Sequence, residues 1–418
     1  MTGGSGTGAT TFSPPVQRLR RFGLQRGWPV IGAASRLARA TLARRKPVIA
    51  VVGSYGKTTT TAAIAAALGL PRPRFGNAFA GPALDLLLRG ASRKPLALEV
   101  GIGRKGQMIR HARAIRPDIV VVTSIGTEHA RSLGDQEGIR EEKARIFAGM
   151  RSGGVAFLNG DDPHVRAMAR HVPGVVVTFG FGADNDVRLL DRQLDWPYGT
   201  RLEIDRFGER VTVRTRLLGR IAAYPVLAAL AVAHRLGHDR REAVAGLERL
   251  EPTPGRLRLT RLPQGNWLLG DEHKGNLETI HAALDVLEEI PARRLVVMGE
   301  IHEPPGSVGP LYRALGARLA GIATHVVMVG SRKSFLSLRS GARQAGLSPE
   351  VFTHAGREWR KAFDILTGLL QPEDVLLVKG RDRQRLMRLS LALTGRPVSC
   401  GLVDCALPMP GCHVCPRL

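Results

Sequence analysis

Short unbroken apolar runs punctuate the chain, and between them apolar residues return at helical spacing. The runs at 48–52, 95–100 and 118–123 are rich in aliphatic and β-branched residues, as suits parallel strands covered on both faces. Ala-rich residues 62–68 and the stretch 137–150 read as helices behind the first and third of them. Further strands are expected at 175–179 and 211–215, with a helix over 224–236. The Pro/Gly-bearing segment Glu251-Pro-Thr-Pro-Gly255 then reads as a hinge. Beyond it, strands at 267–269, 295–298, 325–329 and 374–378 alternate with helices such as 277–289 and 311–320. Two successive doubly wound α/β units follow, over 47–250 and 251–398.

The first strand runs into Gly53-Ser54-Tyr55-Gly56-Lys57-Thr58-Thr59 and then the Ala-rich helix. A turn at a helix N-terminus offers unpaired N–H groups and the positive dipole end to anionic oxygens. Gly53 and Gly56 let the backbone approach, Lys57 reaches terminal phosphates and Thr58 can ligate Mg²⁺. The order strand, Gly-x-x-Gly-Lys-Thr, helix is that of a nucleoside triphosphate site. Glu99 ends the second strand, at the edge where open α/β sheets bind ligands, and is a candidate metal ligand. His129, in the loop after the third strand, and Lys143, on the following helix, join the candidates once they are taken together with the loop and Glu99.

Composition adds less. With 418 residues, 44% of them hydrophobic, the chain is long enough for two or three cored domains. It contains no run of eighteen apolar residues and its start lacks the pattern of a secretory signal, so a cytoplasmic protein is expected. The charge of +25 is uneven: the first acidic residue is Asp85. That imbalance attracts nucleotide, anionic lipid, nucleic acid or an acidic substrate without choosing among them, and a GC-rich genome would also inflate Arg. Residues 1–14 read as a flexible leader and 16–46 as a basic amphipathic arm. The arm either adheres peripherally to an anionic membrane or packs its apolar face on the next domain. Cys400, Cys405, Cys412 and Cys415, all the cysteines of the chain, lie in the tail 399–418. They can wrap a structural Zn²⁺, with free thiols or an iron–sulfur ligand set as rivals.

The succession Gly-Ser-Tyr-Gly-Lys-Thr-Thr, Glu99-Val-Gly, Thr123-Ser-Ile-Gly-Thr-Glu-His129, Glu142-Lys143-Ala-Arg-Ile-Phe147 and Leu158-Asn-Gly-Asp-Asp-Pro163 resembles the Mur ligases. So do Pro254-Gly255-Arg256, Gly270-Asp271-Glu-His-Lys-Gly-Asn276, Val297-Met-Gly-Glu300 and Leu377-Val-Lys379-Gly380. The resemblance spans about residues 46–395 and is nearest to the branch that adds D-alanyl-D-alanine to the peptidoglycan precursor. It implies a P-loop doubly wound central domain followed by a Rossmann-like C-terminal domain, here with a short basic helical arm and a Cys-rich tail. It also implies an ATP- and Mg²⁺-dependent ligase that joins a carboxylate to an amine through an acyl phosphate, with no nucleic acid partner. By resemblance Lys57 and Thr58 hold phosphates and one Mg²⁺, Glu99 and His129 bind magnesium, and Lys143 becomes carbamylated. Arg256 would contact phosphate and Asp271 the ribose on domain closure.

Departures from the family pattern are specific. Gly219-Arg220-Ile221-Ala222-Ala223-Tyr224-Pro225 stands where a His-Asn stretch commonly reads adenine, and the Asn-rich stretch after the first helix is reduced to Gly76-Asn77-Ala78-Phe79-Ala80-Gly81-Pro82. Gln107 replaces a Glu, His273 a common Tyr and Leu277 a common Pro. About 46 residues precede the first strand, too few for a uridine-nucleotide-binding domain. The expectation is therefore a different acyl substrate or a partner that holds it. Two other readings stay open: a basic P-loop ATPase acting on nucleic acid or a membrane partner, and a pseudo-ligase scaffold.

Overall fold

The computed structural model describes residues 26–73, 77, 80–405 and 411–418. The expected leader, residues 16–25 of the arm, and Gly76, Ala78 and Phe79 lie outside them. The first sheet contains β1 (Val48–Val52), β2 (Leu96–Glu99), β3 (Ile119–Val122), β4 (Val155–Asn159), β5 (Val175–Gly180), β6 (Val187–Asp195), β7 (Gly199–Arg206) and β8 (Glu209–Thr215). They lie in the order β2-β1-β3-β4-β5-β6-β7-β8, parallel through β6 and antiparallel from β6 to β8.

Burial explains which runs became central strands. Every residue of β1, β3 and β4 is buried, because helices cover both faces. On one face lie α1 (Trp28–Ala40), α3 (Gly81–Arg89), α4 (Gln107–Ile115) and α5 (Gln136–Ala144); on the other lie α2 (Lys57–Ala67), α6 (Ala223–Arg235) and α7 (Arg240–Glu248). Helix α6 is buried almost all round, from Pro225 to Ala233, which is why its sequence is apolar without a polar stripe. The stretch expected as one helix over 137–150 is α5 followed by a 3₁₀ turn at Phe147–Gly149.

Helix α1 is the described part of the basic arm, and it packs on the first unit. Ser35 Oγ donates to the Ala114 carbonyl at 3.0 Å. The buried Arg39 donates to the Ile115 and Arg116 carbonyls at 3.1 and 3.0 Å and pairs with Asp118. Val30, Leu37 and Leu42 remain exposed. Among the described residues no helix is long and apolar enough to cross a membrane.

The second sheet is built from β9 (Arg258–Arg261), β10 (Trp267–Asp271), β11 (Arg294–Met298), β12 (His325–Met328), β13 (Phe352–His354) and β14 (Val375–Lys379). Its order is β13-β12-β11-β14-β10-β9, parallel except for the β9 edge. Helices α8 (Leu277–Glu288), α9 (Val308–Ala320) and α10 (Arg332–Gln344) cover one face; α11 (Trp359–Leu369) and α12 (Met387–Leu393) cover the other. The two units also meet through side chains. Arg192 of β6 makes a forked pair with Glu289 at 2.5 and 2.7 Å, and Trp196 meets Trp267 edge-on at 5.7 Å.

Candidate active site

The strand order reverses at β1, so its carboxyl end opens a crevice between the crossovers on either side. The turn that fills it needs both glycines. Gly53 has φ +154° and Gly56 φ +82°, and a Cβ on Gly53 would fall 2.0 Å from Thr123 Oγ1. The turn is held by the loop after β3. Tyr55 N–H donates to Ser124 Oγ at 3.0 Å, and Thr123 Oγ1 donates to the Tyr55 carbonyl at 2.6 Å. Lys57 is buried and donates to the Gly53 and Ser54 carbonyls at 2.7 and 2.9 Å. Burial lowers its pKa, with Glu128 opposing the shift.

Thr58 Oγ1 donates to Glu99 Oε2 at 2.9 Å, and Asn77 Nδ2 to Glu99 Oε1 at 2.5 Å. A hydroxyl and a carboxylate meeting at the first turn of α2 form an all-oxygen set of the kind Mg²⁺ prefers. Lys143, buried on α5, donates to Ser54 Oγ at 2.8 Å. Burial, with the neighbouring Lys57 adding to it, pushes its pKa far below that of a free lysine. His129 occupies the left-handed region at φ +73°. Its N–H donates to Glu303 Oε2 at 2.9 Å, and its Nε2 lies 3.8 Å from Glu128 Oε1.

Sequence reasoning quoted Glu128 and gave it no role, yet it is the electrostatic centre of the site. It is buried, pairs with Lys274 of the second unit and stands 4.0 Å from Lys57 Nζ. Burial alone would raise its pKa; Lys274, Lys57 and His129 together hold it well below the carboxylate range. The signal available in the sequence was its position beside His129 in a strand-end loop. The same loop bonds to α8, because Thr127 N–H and Oγ1 donate to Glu278 Oε1 at 2.8 and 2.9 Å.

From the second unit, Asp271 at the end of β10 pairs with the buried Lys379 of β14 and accepts from Leu257 N–H at 3.2 Å. Asp271 and Arg256 line a cavity of 610 Å³ between the units, together with Tyr55, Gly56 and Thr59 from the phosphate turn. Its far wall was not anticipated. Phe181 and Tyr224 rings meet at 4.4 Å, Arg220 lies 4.5 Å over the Phe181 ring, and Tyr224 Oη donates to Asp161 at 3.0 Å. Arg220 and Tyr224 of that wall come from the segment lacking the usual His-Asn pair, and with Phe181 they offer planar groups for a base to stack on.

Cys400, Cys405, Cys412 and Cys415 line one small cavity of 20 Å³ beside Arg385 and Arg388, and all four are free thiols. No group of three or more His, Cys, Asp or Glu among the described residues is drawn together as a metal centre. The zinc expectation therefore finds the cysteines assembled but not closed on a point.

Comparison with known families places this geometry. The family model "Mur ligase middle domain" matches residues 51–233, and "Mur ligase, glutamate ligase domain" matches 255–381. The chain belongs to the Mur ligase family. Among curated Mur ligases, the UDP-N-acetylmuramoyl-tripeptide–D-alanyl-D-alanine ligase of Bacillus subtilis (strain 168) is 30% identical over 264 residues, 61% of this chain and 56% of that protein. The enzyme of that name from Mycobacterium tuberculosis (strain CDC 1551 / Oshkosh) is 28% identical over 407 residues, 90% of this chain and 79% of the relative. A crystal structure of MurF from Acinetobacter baumannii superposes with a TM-score of 0.78 at 24% identity, covering 88% of this chain and 81% of that one. That likeness concerns the fold. The chain thus spans little more than half the length of the Bacillus relative.

Proposed function

We propose that the protein is a Mur-type, ATP-dependent amide ligase with a hinge at 251–255 between its two domains. A carboxylate oxygen of the acyl substrate attacks the γ-phosphorus of ATP and ADP departs. An amine nitrogen then attacks the acyl phosphate carbonyl, and phosphate leaves as the amide forms. One observation carries the reading: Tyr55, Gly56 and Thr59 of the phosphate turn face Asp271 and Lys274 of the second domain across a single cleft, with the Thr58–Glu99 pair and the Lys143–Ser54 bond on the same turn. In this reading Lys57 exchanges the Gly53 and Ser54 carbonyls for phosphate oxygens, beside the N–H groups of Gly56 and Thr59, while those of Ser54 and Tyr55 brace the turn on Ser124. Arg256 meets phosphate, Asp271 the ribose, and Phe181, Arg220 and Tyr224 the base.

The oxygen set at Thr58 and Glu99 fits Mg²⁺, and His129 and a carbamylated Lys143 would complete it. Bound there, the ion neutralises charge on the transferring phosphoryl group. A neutral Lys143 amine attacks CO₂ and loses a proton, which turns a repelling cation into a carboxylate-like ligand. For the tail we propose that the four thiols close on Zn²⁺. About one zinc per chain is expected on metal analysis, and protein purified without metal would remove that proposal.

The test is phosphate release from ATP with Mg²⁺ and bicarbonate, screened against muramyl peptides and other carboxylates with D-alanyl-D-alanine and other amines. Release that requires both an acid and an amine, and is abolished in a folded Lys57→Ala protein, is expected. Release with neither, or full turnover in Lys57→Ala, would refute the assignment.

A further inference from the structure

Three lysines surround one carboxylate at the junction of the two units, and only one comes from the second. Lys274 leaves the loop between β10 and α8, lines the 610 Å³ cavity and pairs with Glu128, which also stands 4.0 Å from Lys57. Lys143 is close enough to Glu128 and Lys57 for both to act on its ionisation. Glu128 therefore answers Lys57 and Lys274 together, with Glu99 also acting on Lys57, at the edge of the cavity. A part-exposed ammonium at a cavity wall can leave one carboxylate for an anion that enters the cavity, whereas a fully buried pair could not do so cheaply.

The backbone that carries Lys274 is fixed. Lys379 Nζ donates to the Lys274 carbonyl at 2.6 Å while pairing with Asp271, and Thr279 Oγ1 also donates to that carbonyl at 3.3 Å. Lys274 thus has a fixed backbone in the second unit and an ammonium held by Glu128 beside the phosphate turn of the first. A structural strut would suit the pair Lys274–Glu128 as well, but the contacts Thr127–Glu278, His129–Glu303 and Arg192–Glu289 already join the units. The ammonium that lies in the nucleotide cavity is the one with chemistry to perform.

We propose that Lys274 is a catalytic lysine delivered across the domain boundary: it exchanges Glu128 for oxygens of the γ-phosphoryl group in flight and of the acyl phosphate that follows. Glu128 is its positioning residue, holding the ammonium within reach of Lys57 until nucleotide enters. The proposal rests on the ligase reading above. Its logic is that of any cation aimed at charge that develops only in the transition state, so it acts on kcat more than on nucleotide binding.

The experiment compares wild type, Lys274→Met, Lys274→Arg and Glu128→Gln for kcat and KM in the acid- and amine-dependent assay. Calorimetric affinity for a non-hydrolysable ATP analogue is measured alongside and also reports a folded site. Lys274→Met should lower kcat about 100- to 1000-fold while analogue affinity falls less than about 10-fold, and Lys274→Arg should recover part of the loss. Unchanged kcat in Lys274→Met overturns the proposal, as does loss of kcat and analogue affinity in equal proportion, the mark of a strut. Absence of acid- and amine-dependent turnover in wild type would instead strike the ligase reading itself.

Discussion

Replacing Glu272 with glutamine should stabilise the protein at pH 8 and leave it unchanged at pH 4.5. Glu272 is 3% exposed and follows Asp271 at the end of β10. Ser390 Oγ donates to its Oε1, while Oε2 has no partner. Burial raises its pKa to about 7, with the Ser390 hydrogen bond opposing. An unfolded carboxyl titrates near 4.5. Between these values the native state keeps a proton that the unfolded state has lost, so stability falls as pH rises through the window and levels off above it. The interval corresponds to about 3 kcal/mol at about 1.4 kcal/mol per unit. Glutamine copies the protonated carboxyl at every pH and should remove this slope. Urea unfolding followed by tryptophan fluorescence in a variant keeping only Trp267 and Trp359 of the four tryptophans, both in the second unit, measures it. Parallel wild-type and Glu272→Gln stabilities from pH 4.5 to 8 would show that folding does not raise the pKa of the carboxyl and that the reasoning is wrong.

Two further substitutions probe the nucleotide cleft. Gly53→Ala puts a Cβ 2.0 Å from Thr123 Oγ1 at a φ of +154°. The backbone strain alone is about 1–3 kcal/mol, and nucleotide affinity by calorimetry should fall with the melting temperature. Arg220→Ala removes the cation 4.5 Å over Phe181; a contact of about 1 kcal/mol predicts a severalfold rise in KM for ATP with kcat retained.

The elements legible in the sequence were those whose environment is uniform. Residues 48–52 are buried on both faces, so an apolar run sufficed to find β1, and the same holds for β3, β11 and β14. Strands β6 and β7 were missed because their partner, not their composition, makes them strands. β6 carries Arg188, Asp191, Arg192 and Gln193 and is defined by its antiparallel ladder with β7. At the site, a contiguous motif revealed the turn around Lys57, whereas the role of Glu128 depends on lysines 71 residues before it and 146 after it. No local pattern encodes such a meeting. The Arg220 departure was visible, but its stacking on Phe181 arises only when the turn after β5 approaches the start of α6.

The loop from Thr123 to His129 bonds backward to the phosphate turn and forward to Glu278, Lys274 and Glu303. Mechanically it is a short linkage between two stiff bodies, with the reactive groups mounted on its joints. A rotation of the second body would pull on the turn around Lys57 through these bonds. The sensing of a substrate on one side can therefore set the geometry on the other through seven residues, and insertions there would uncouple the halves while leaving each of them folded.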